Sequence, residues 1–278
     1  MIQHVILPGG EAVPALGQGT WYMGESAGRR AAEVDALRHG IAQGLRLIDT
    51  AEMYADGGAE KVVGEAIRGQ RDQVFLVTKV YPHNASRKGA VAACERSLAR
   101  LATDRIDLYL LHWRGSVPFH ETVDAFERLQ AAGKIRHWGV SNLDADDMAE
   151  LWHTAGGERV ATNQVLYNLG RRGLEWDLQP WCRERGVPLM AYSPLEQARL
   201  LDDPGLADIA GDLSATPAQV ALAWLLRQED VMAIPKAGSR RHVDDNLAAL
   251  SLRLDDAVLA ALDRRFPPPD GPSALEML

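Results

Sequence analysis

Short apolar runs recur along this sequence, and each is followed by a longer stretch with helical periodicity. The runs are 45–48, 74–77, 106–111, 135–140, 161–165, 188–192 and 231–234, with an earlier one at 15–19. Most are apolar throughout, the pattern of strands covered on both faces of a parallel sheet. The helical stretches are 30–43, 59–67, 88–101, 123–132, 145–155, 178–185, 218–226 and 243–250, and the first ends before Gly44 as a helix C-terminus does. Strand-then-helix order repeated in this way requires right-handed crossovers. Eight such units predict a closed (β/α)8 TIM barrel; an open doubly wound sheet is the alternative. Before the first unit, Val5–Leu7 and Ala12–Val13 flank Pro8-Gly9-Gly10 and read as a short β-hairpin. After the last, the segment from Leu254 holds one extra helix and then a proline-rich stretch. The segment 196–216 reads as a long loop.

A barrel of this type needs about 250 residues as one unit. The 278 residues, with no linker composition anywhere, therefore predict one domain spanning 1–278. A formal net charge of -8 argues against a nucleic-acid partner, which needs a basic surface. Cys94 and Cys182 lie in helical stretches and read as small buried hydrophobes. No charged leader precedes an apolar stretch, and no run approaches the ~18 apolar residues of a membrane span. The expectation is a cytoplasmic monomer without membrane contact.

Barrel enzymes carry their sites at the C-terminal ends of the strands. Here the runs end in Asp49, Lys79, His112, Ser141-Asn142, Gln164, Tyr192-Ser193 and Lys236. Each has an ordinary structural reading taken singly: a turn cap, a solvated lysine, a hydrogen-bonded core histidine, a half-buried Tyr54. Together, three ionisable groups end three consecutive runs, and Tyr54 follows the first by five residues. A barrel would gather all four on one rim. Hydride addition to a carbonyl builds negative charge on oxygen and needs a proton donor there. A lysine beside a phenol lowers its pKa, an aspartate holds the lysine in place, and a histidine can polarise the carbonyl. No metal is needed, and the scattered histidines and cysteines form no ligand pattern.

The segment Leu47–Tyr54 followed by Gly64 resembles the aldo-keto reductase signature. So do Val77-Thr78-Lys79, Leu110-Leu111-His112-Trp113, Gly139-Val140-Ser141-Asn142, Ala191–Leu195 and Ile234-Pro235-Lys236, in family order across almost the whole chain. The resemblance implies a catalytic tetrad of Asp49, Tyr54, Lys79 and His112, with Tyr54 as proton donor. It implies that Ser141, Asn142 and Gln164 bind the nicotinamide amide. Tyr192 would stack on the nicotinamide ring, with Ser193 and Leu195 also touching cofactor. It places Trp21, Tyr22 and Trp113 around a small carbonyl substrate. The remaining tryptophans, Trp138, Trp152, Trp176, Trp181 and Trp224, read as core or helix-packing residues.

No glycine-rich dinucleotide fingerprint follows a strand: Gly17-Gln18-Gly19 lacks its third glycine, and Gly19–Gly24 is followed by Glu25 where a phosphate loop needs lysine. The phosphate site is instead expected at Lys236, Ser239, Arg240 and Arg241, just before a helix whose N-terminus favours anions. The chain departs from the family where many members grip the NADPH 2′-phosphate with arginine: it has His242, and Ala237 where serine is common. Asp245 and Asn246 resemble the adenine contacts. NADPH is the expected cofactor, with usable NADH activity. The ending Ser273–Leu278 resembles bacterial members that accept reactive aldehydes such as methylglyoxal. A non-catalytic cofactor-sensing subunit of the same fold is the alternative. A phosphate-binding isomerase, or a hydrolase using Asp49 or Glu52, does not explain Tyr54, Lys79 and Ser141-Asn142 together.

Overall fold

The computed structural model describes residues 2–278. The chain opens with an antiparallel hairpin, β1 (His4–Ile6) and β2 (Ala12–Pro14), and then alternates strand and helix. The order is β3 (Gln18–Gly19), α1 (Arg30–Ala42), β4 (Leu47–Asp49), α2 (Gly58–Ile67), β5 (Phe75–Val80), α3 (Gly89–Leu101) and β6 (Ile106–Leu111). It continues with α4 (Phe119–Ala131), β7 (Ile135–Ser141), α5 (Ala145–Trp152), β8 (Asn163–Leu166), α6 (Leu178–Glu184) and β9 (Leu189–Tyr192). The remaining elements are α7 (Pro204–Asp212), α8 (Pro217–Leu226), β10 (Val231–Ala233), α9 (Arg240–Ala248) and α10 (Asp256–Arg265).

Among the described residues, β3 to β10 form one eight-stranded parallel sheet in strict chain order. Its first and last strands meet: Leu16 bridges Ala233 and Gly19 bridges Lys236, with Gly17 N–H donating to Ala233 O at 2.9 Å and Gly19 N–H to Pro235 O at 3.0 Å. The sheet is therefore closed into the predicted barrel. Gly19 has to be glycine at this seam, because a Cβ there would stand 2.6 Å from the Ile234 carbonyl oxygen. Strand β5 is buried at every position, as is β6, which explains their continuous apolar reading.

The hairpin lies against the N-terminal ends of the strands. Val5 and Val13 are buried, and Glu11 meets Arg136 at 2.7 Å and His137 at 2.6 Å near the start of β7. The opposite, C-terminal end is left open for a site. No helix among the described residues is long and apolar enough to cross a membrane. Cys94 and Cys182 are free, buried thiols whose pKa values burial raises to about 12, in keeping with a packing role.

Two expectations are corrected. The segment 196–216 is not a plain loop: after a tight turn region it contains α7. Asp203 caps that helix by accepting from Leu206 N–H at 2.9 Å, Pro204 sits in its first turn, and Leu206 and Ala210 are buried one turn apart. Trp176 is not a packing residue: it is 47% exposed, whereas Trp138 and Trp224 are buried and Trp152 packs edge-on against Trp181.

Asp107 is the charged exception inside β6. It is buried and accepts from Arg71 at 2.7 Å, from Arg136 at 3.0 Å and from the Leu76 backbone N–H at 2.8 Å. The β5–β6 pairing begins only at Val77↔Leu108, so the carboxylate satisfies an N–H that the ladder leaves over. Asp107→Ala would strand that N–H and a largely buried guanidinium. It is expected to lower unfolding free energy by about 3 kcal/mol, read as a fall in the urea midpoint. A midpoint unchanged from wild type would show that the carboxylate is not a structural tie.

Candidate active site

At the C-terminal end of the barrel, β4 and β5 lie side by side, with Asp49 paired to Val77 and Lys79 two positions further along β5. Both side chains turn inward. The Lys79 ammonium donates to Asp49 Oδ2 at 2.8 Å, to the Thr50 carbonyl at 2.8 Å and to the Tyr54 phenol oxygen at 3.1 Å. Its three protons are thus used, and Lys79 is completely buried. The second Asp49 oxygen accepts from the Gln164 amide at 2.7 Å. Because Lys79 donates to the phenol oxygen, the phenol's own proton is free to point elsewhere.

Tyr54 is 8% exposed and held edge-on by Trp21, with ring centroids 4.7 Å apart. His112 packs edge-on on its other side at 5.9 Å. The imidazole is buried with Nδ1 lacking a protein partner, and burial together with the Lys79 charge depresses its pKa to about 2. It is a neutral hydrogen-bonding group at any working pH. Burial, reinforced by the Asp49 charge, raises the Tyr54 pKa well above its ordinary value. Burial and the Asp49 charge thus push the phenol in the direction opposite to the lowering expected from a neighbouring lysine. Within the ion pair, burial lifts Asp49 and lowers Lys79, and each charge opposes the shift of the other.

A second network continues from the tetrad along the rim. The Asn142 amide donates to the His112 carbonyl at 3.1 Å and to Ser141 Oγ at 3.1 Å, while Ser141 Oγ donates to the Gln164 carbonyl at 2.7 Å. The Tyr192 hydroxyl donates to Asn142 Oδ1 at 2.9 Å, which fixes the ring as a half-buried wall. Burial raises the pKa of that hydroxyl to about 12. Asn142 at φ 58° and Ser193 at φ 45° take left-handed backbone conformations, the kind of local strain often found at sites.

These groups open onto a cavity of about 600 Å3. Asp49, Tyr54, His112, Ser141, Asn142, Gln164, Tyr192, Ser193 and Leu195 line it. So do Trp21, Tyr22 and Trp113, and Lys236, His242, Asp245 and Asn246. Lys79 lies behind this lining. Ser239, Arg240 and Arg241 do not line it: Ser239 caps α9 by accepting from His242 N–H, and Arg240 is bound to Asp35 of α1 at 2.5 and 2.7 Å. The Asp245 carboxylate accepts from the Gln219 amide at 2.6 Å. Among the described residues no cluster of three metal-ligating side chains occurs.

Residues missed in the sequence include Thr20, Met53, Gln197, Met277 and Leu278, all in the cavity lining. The Thr50 carbonyl on Lys79 was also missed, since a main-chain acceptor has no side-chain signature. The Gln164 contact with Asp49 was foreseen for neither residue.

The model of the Aldo/keto reductase family matches residues 15–265. The chain is 58% identical over 275 residues to the methylglyoxal reductase YeaE of Escherichia coli, covering 97% of each. It is 34% identical to the glyoxal reductase of Bacillus subtilis, covering 82% of each. An aldo/keto reductase from Klebsiella pneumoniae, solved in complex with NADP and acetate, superposes with a TM-score of 0.97 at 55% identity over the full length of both chains. By sequence and by fold, this chain belongs to the aldo/keto reductase family.

Proposed function

We propose that this protein reduces short reactive aldehydes, methylglyoxal among them, to alcohols with NADPH, and that Tyr54 donates the proton. Family membership, relatives named as reductases of small dicarbonyls, and a neighbour holding NADP make it an NADP-dependent aldo-keto reductase. The observation that carries the proton-donor role is the Asp49–Lys79–Tyr54 chain, with contacts of 2.8 and 3.1 Å, ending in a phenol at the cavity wall. The non-catalytic alternative has no observation in its favour.

The cavity suits the cofactor. The Tyr192 ring offers a flat wall, Ser141, Asn142 and Gln164 form a polar edge beside it, and Lys236 and His242 add basic groups to the lining. When bound, the dihydronicotinamide supplies the hydride. Hydride addition at the carbonyl carbon leaves negative charge on oxygen. The Tyr54 proton moves to that oxygen and completes the alcohol. The phenolate left behind is met at once by the Lys79 ammonium, so the ion pair stabilises charge where it develops. Neutral His112 donates an N–H to the carbonyl oxygen and orients it. Trp21, Tyr22 and Trp113 give an apolar mouth for a small substrate.

For the 2′-phosphate, Arg240 is held on Asp35, so the reading rests on Lys236 and His242, with Arg241 against the His242 ring at 3.3 Å. NADPH is the preferred cofactor and NADH is usable. The catalytic unit is the whole chain, acting as one domain.

Tyr54→Phe is expected to leave folding and NADPH binding intact while steady-state turnover of methylglyoxal falls roughly 100-fold or more. Near-normal turnover would remove Tyr54 as the acid. Lys236→Met should weaken NADPH binding roughly tenfold in a fluorescence titration and leave NADH almost unaffected, because a charge-assisted contact to phosphate is lost. Equal losses for both cofactors would move the phosphate elsewhere. His112 stays neutral in the folded chain down to about pH 2, whereas the unfolded chain protonates near pH 6.5. Its contribution to stability is therefore present above pH 6.5 and lost as pH falls. By pH 5 the loss reaches about 2 kcal/mol. Urea midpoints of wild type and His112→Gln should converge as pH falls from 7 to 5; parallel curves would count against this account.

A further inference from the structure

Between Tyr54 and α2 the backbone enters the left-handed region three times in succession: Ala55 at φ 51°, Asp56 at φ 49° and Gly57 at φ 81°. Two of these are not glycine, so the turn needs outside support to persist. One side chain lies tightly against it. Gly57 is pressed against Arg100 of α3 so closely that a Cβ would stand 2.4 Å from Arg100 Cδ and 2.5 Å from its Nε.

Arg100 is itself fixed. Its Nε donates to Glu60 Oε2 at 2.5 Å, and another guanidinium nitrogen donates to Ser97 Oγ at 3.1 Å. Glu60, on α2, is completely buried, and its other oxygen accepts from the Thr78 hydroxyl at 2.7 Å. Thr78 precedes Lys79 on β5. Successive strand residues face opposite sides, so Thr78 meets the helix layer while Lys79 points into the barrel. The contacts form a ring. Lys79 touches Tyr54 inside the barrel, and Thr78, Glu60, Arg100 and the 55–57 turn connect the same two residues on the outside.

We propose that Arg100 is a positioning residue for Tyr54: clamped by Glu60, it holds the left-handed turn that keeps the phenol against Lys79. The inference rests on Tyr54 being the proton donor. Arg100 reaches no reacting atom, so its loss should affect the chemical step and spare binding. The 55–57 turn lies outside the nicotinamide-facing network of Ser141, Asn142 and Tyr192, which supports that separation.

The test uses Arg100→Lys, Gly57→Ala, and Arg100→Ala combined with Glu60→Gln, the last so that no buried carboxylate is left unpaired. Methylglyoxal turnover is measured with NADPH, alongside NADPH affinity by fluorescence and Tm. The double variant and Gly57→Ala should lose roughly 10- to 100-fold in kcat, as expected for a misplaced proton donor. NADPH affinity and the KM for methylglyoxal should stay near wild type, and Arg100→Lys should fall in between. A lowered Tm with unchanged kcat overturns the proposal, and so does a parallel loss of kcat and NADPH affinity. Should the double variant not fold, the two single substitutions decide by the same criteria. Active variants beside an active wild type defeat this inference alone, whereas an inactive wild type, or an active Tyr54→Phe, defeats the functional reading.

Discussion

The buried ion pair between Lys79 and Asp49 is the interaction on which the site depends. Two opposite charges in a low-dielectric interior gain from each other only if the geometry is good and the remaining protons and lone pairs are satisfied. Here they are: Lys79 spends its protons on Asp49, Thr50 and Tyr54, and Asp49 accepts from Lys79 and Gln164. That saturation explains why the pair can lie inside a barrel whose walls are mostly apolar. It also fixes the direction of the phenol. An oxygen that already accepts from Lys79 has its own proton left to offer to the cavity.

The pair in turn needs the barrel closed. Asp49 pairs with Gly19, and Gly19 bridges Lys236 across the seam, so the strand that carries the carboxylate is one position removed from the point of closure. Gly19 allows the strands to approach there. The rim above the seam is then built from unusual backbone: Tyr22, Ala55, Asn142 and Ser193 all adopt positive φ. Regular strands below and strained turns above are a rational division. The strands set distances, and the turns aim side chains at a common space.

Burial has a cost and a use in this site. It raises the Tyr54 pKa and keeps His112 neutral. The phenol therefore keeps its proton at neutral pH, and the imidazole is uncharged there. Under the proposed mechanism the lysine acts on the phenolate left by proton transfer more than on the resting phenol. That Lys79 stands near the phenol was legible at the strand ends, but this balance was not, because the phenolate loses its solvation only once the chain is packed.

Much of the fold was legible because each strand is covered on both sides and so writes a continuous apolar run, while each helix writes a 3.6-residue stripe. Helix α7 was missed because it is short, and its Asp203-Pro204 start looks like any polar turn until Leu206 and Ala210 are seen to be buried. Asp49, Lys79 and His112 could be read as candidates because strand ends are one-dimensional landmarks. The Thr50 carbonyl and Glu60 could not, and Gln164, read as a cofactor contact, gave no sign that it meets Asp49, since main-chain acceptors and contacts across 18 to 115 residues leave no local mark. Arg240 is the same lesson in reverse: its charge beside Lys236 suggested an anion contact, and only the fold shows Asp35 of α1 claiming it. The sequence by itself determined the order of elements and which chemical groups stand at the strand ends, because periodicity and residue type are local properties. Tertiary structure alone decided which of those groups meet, which charges are neutralised and how far burial shifts each proton, because those depend on distances between residues far apart in the chain.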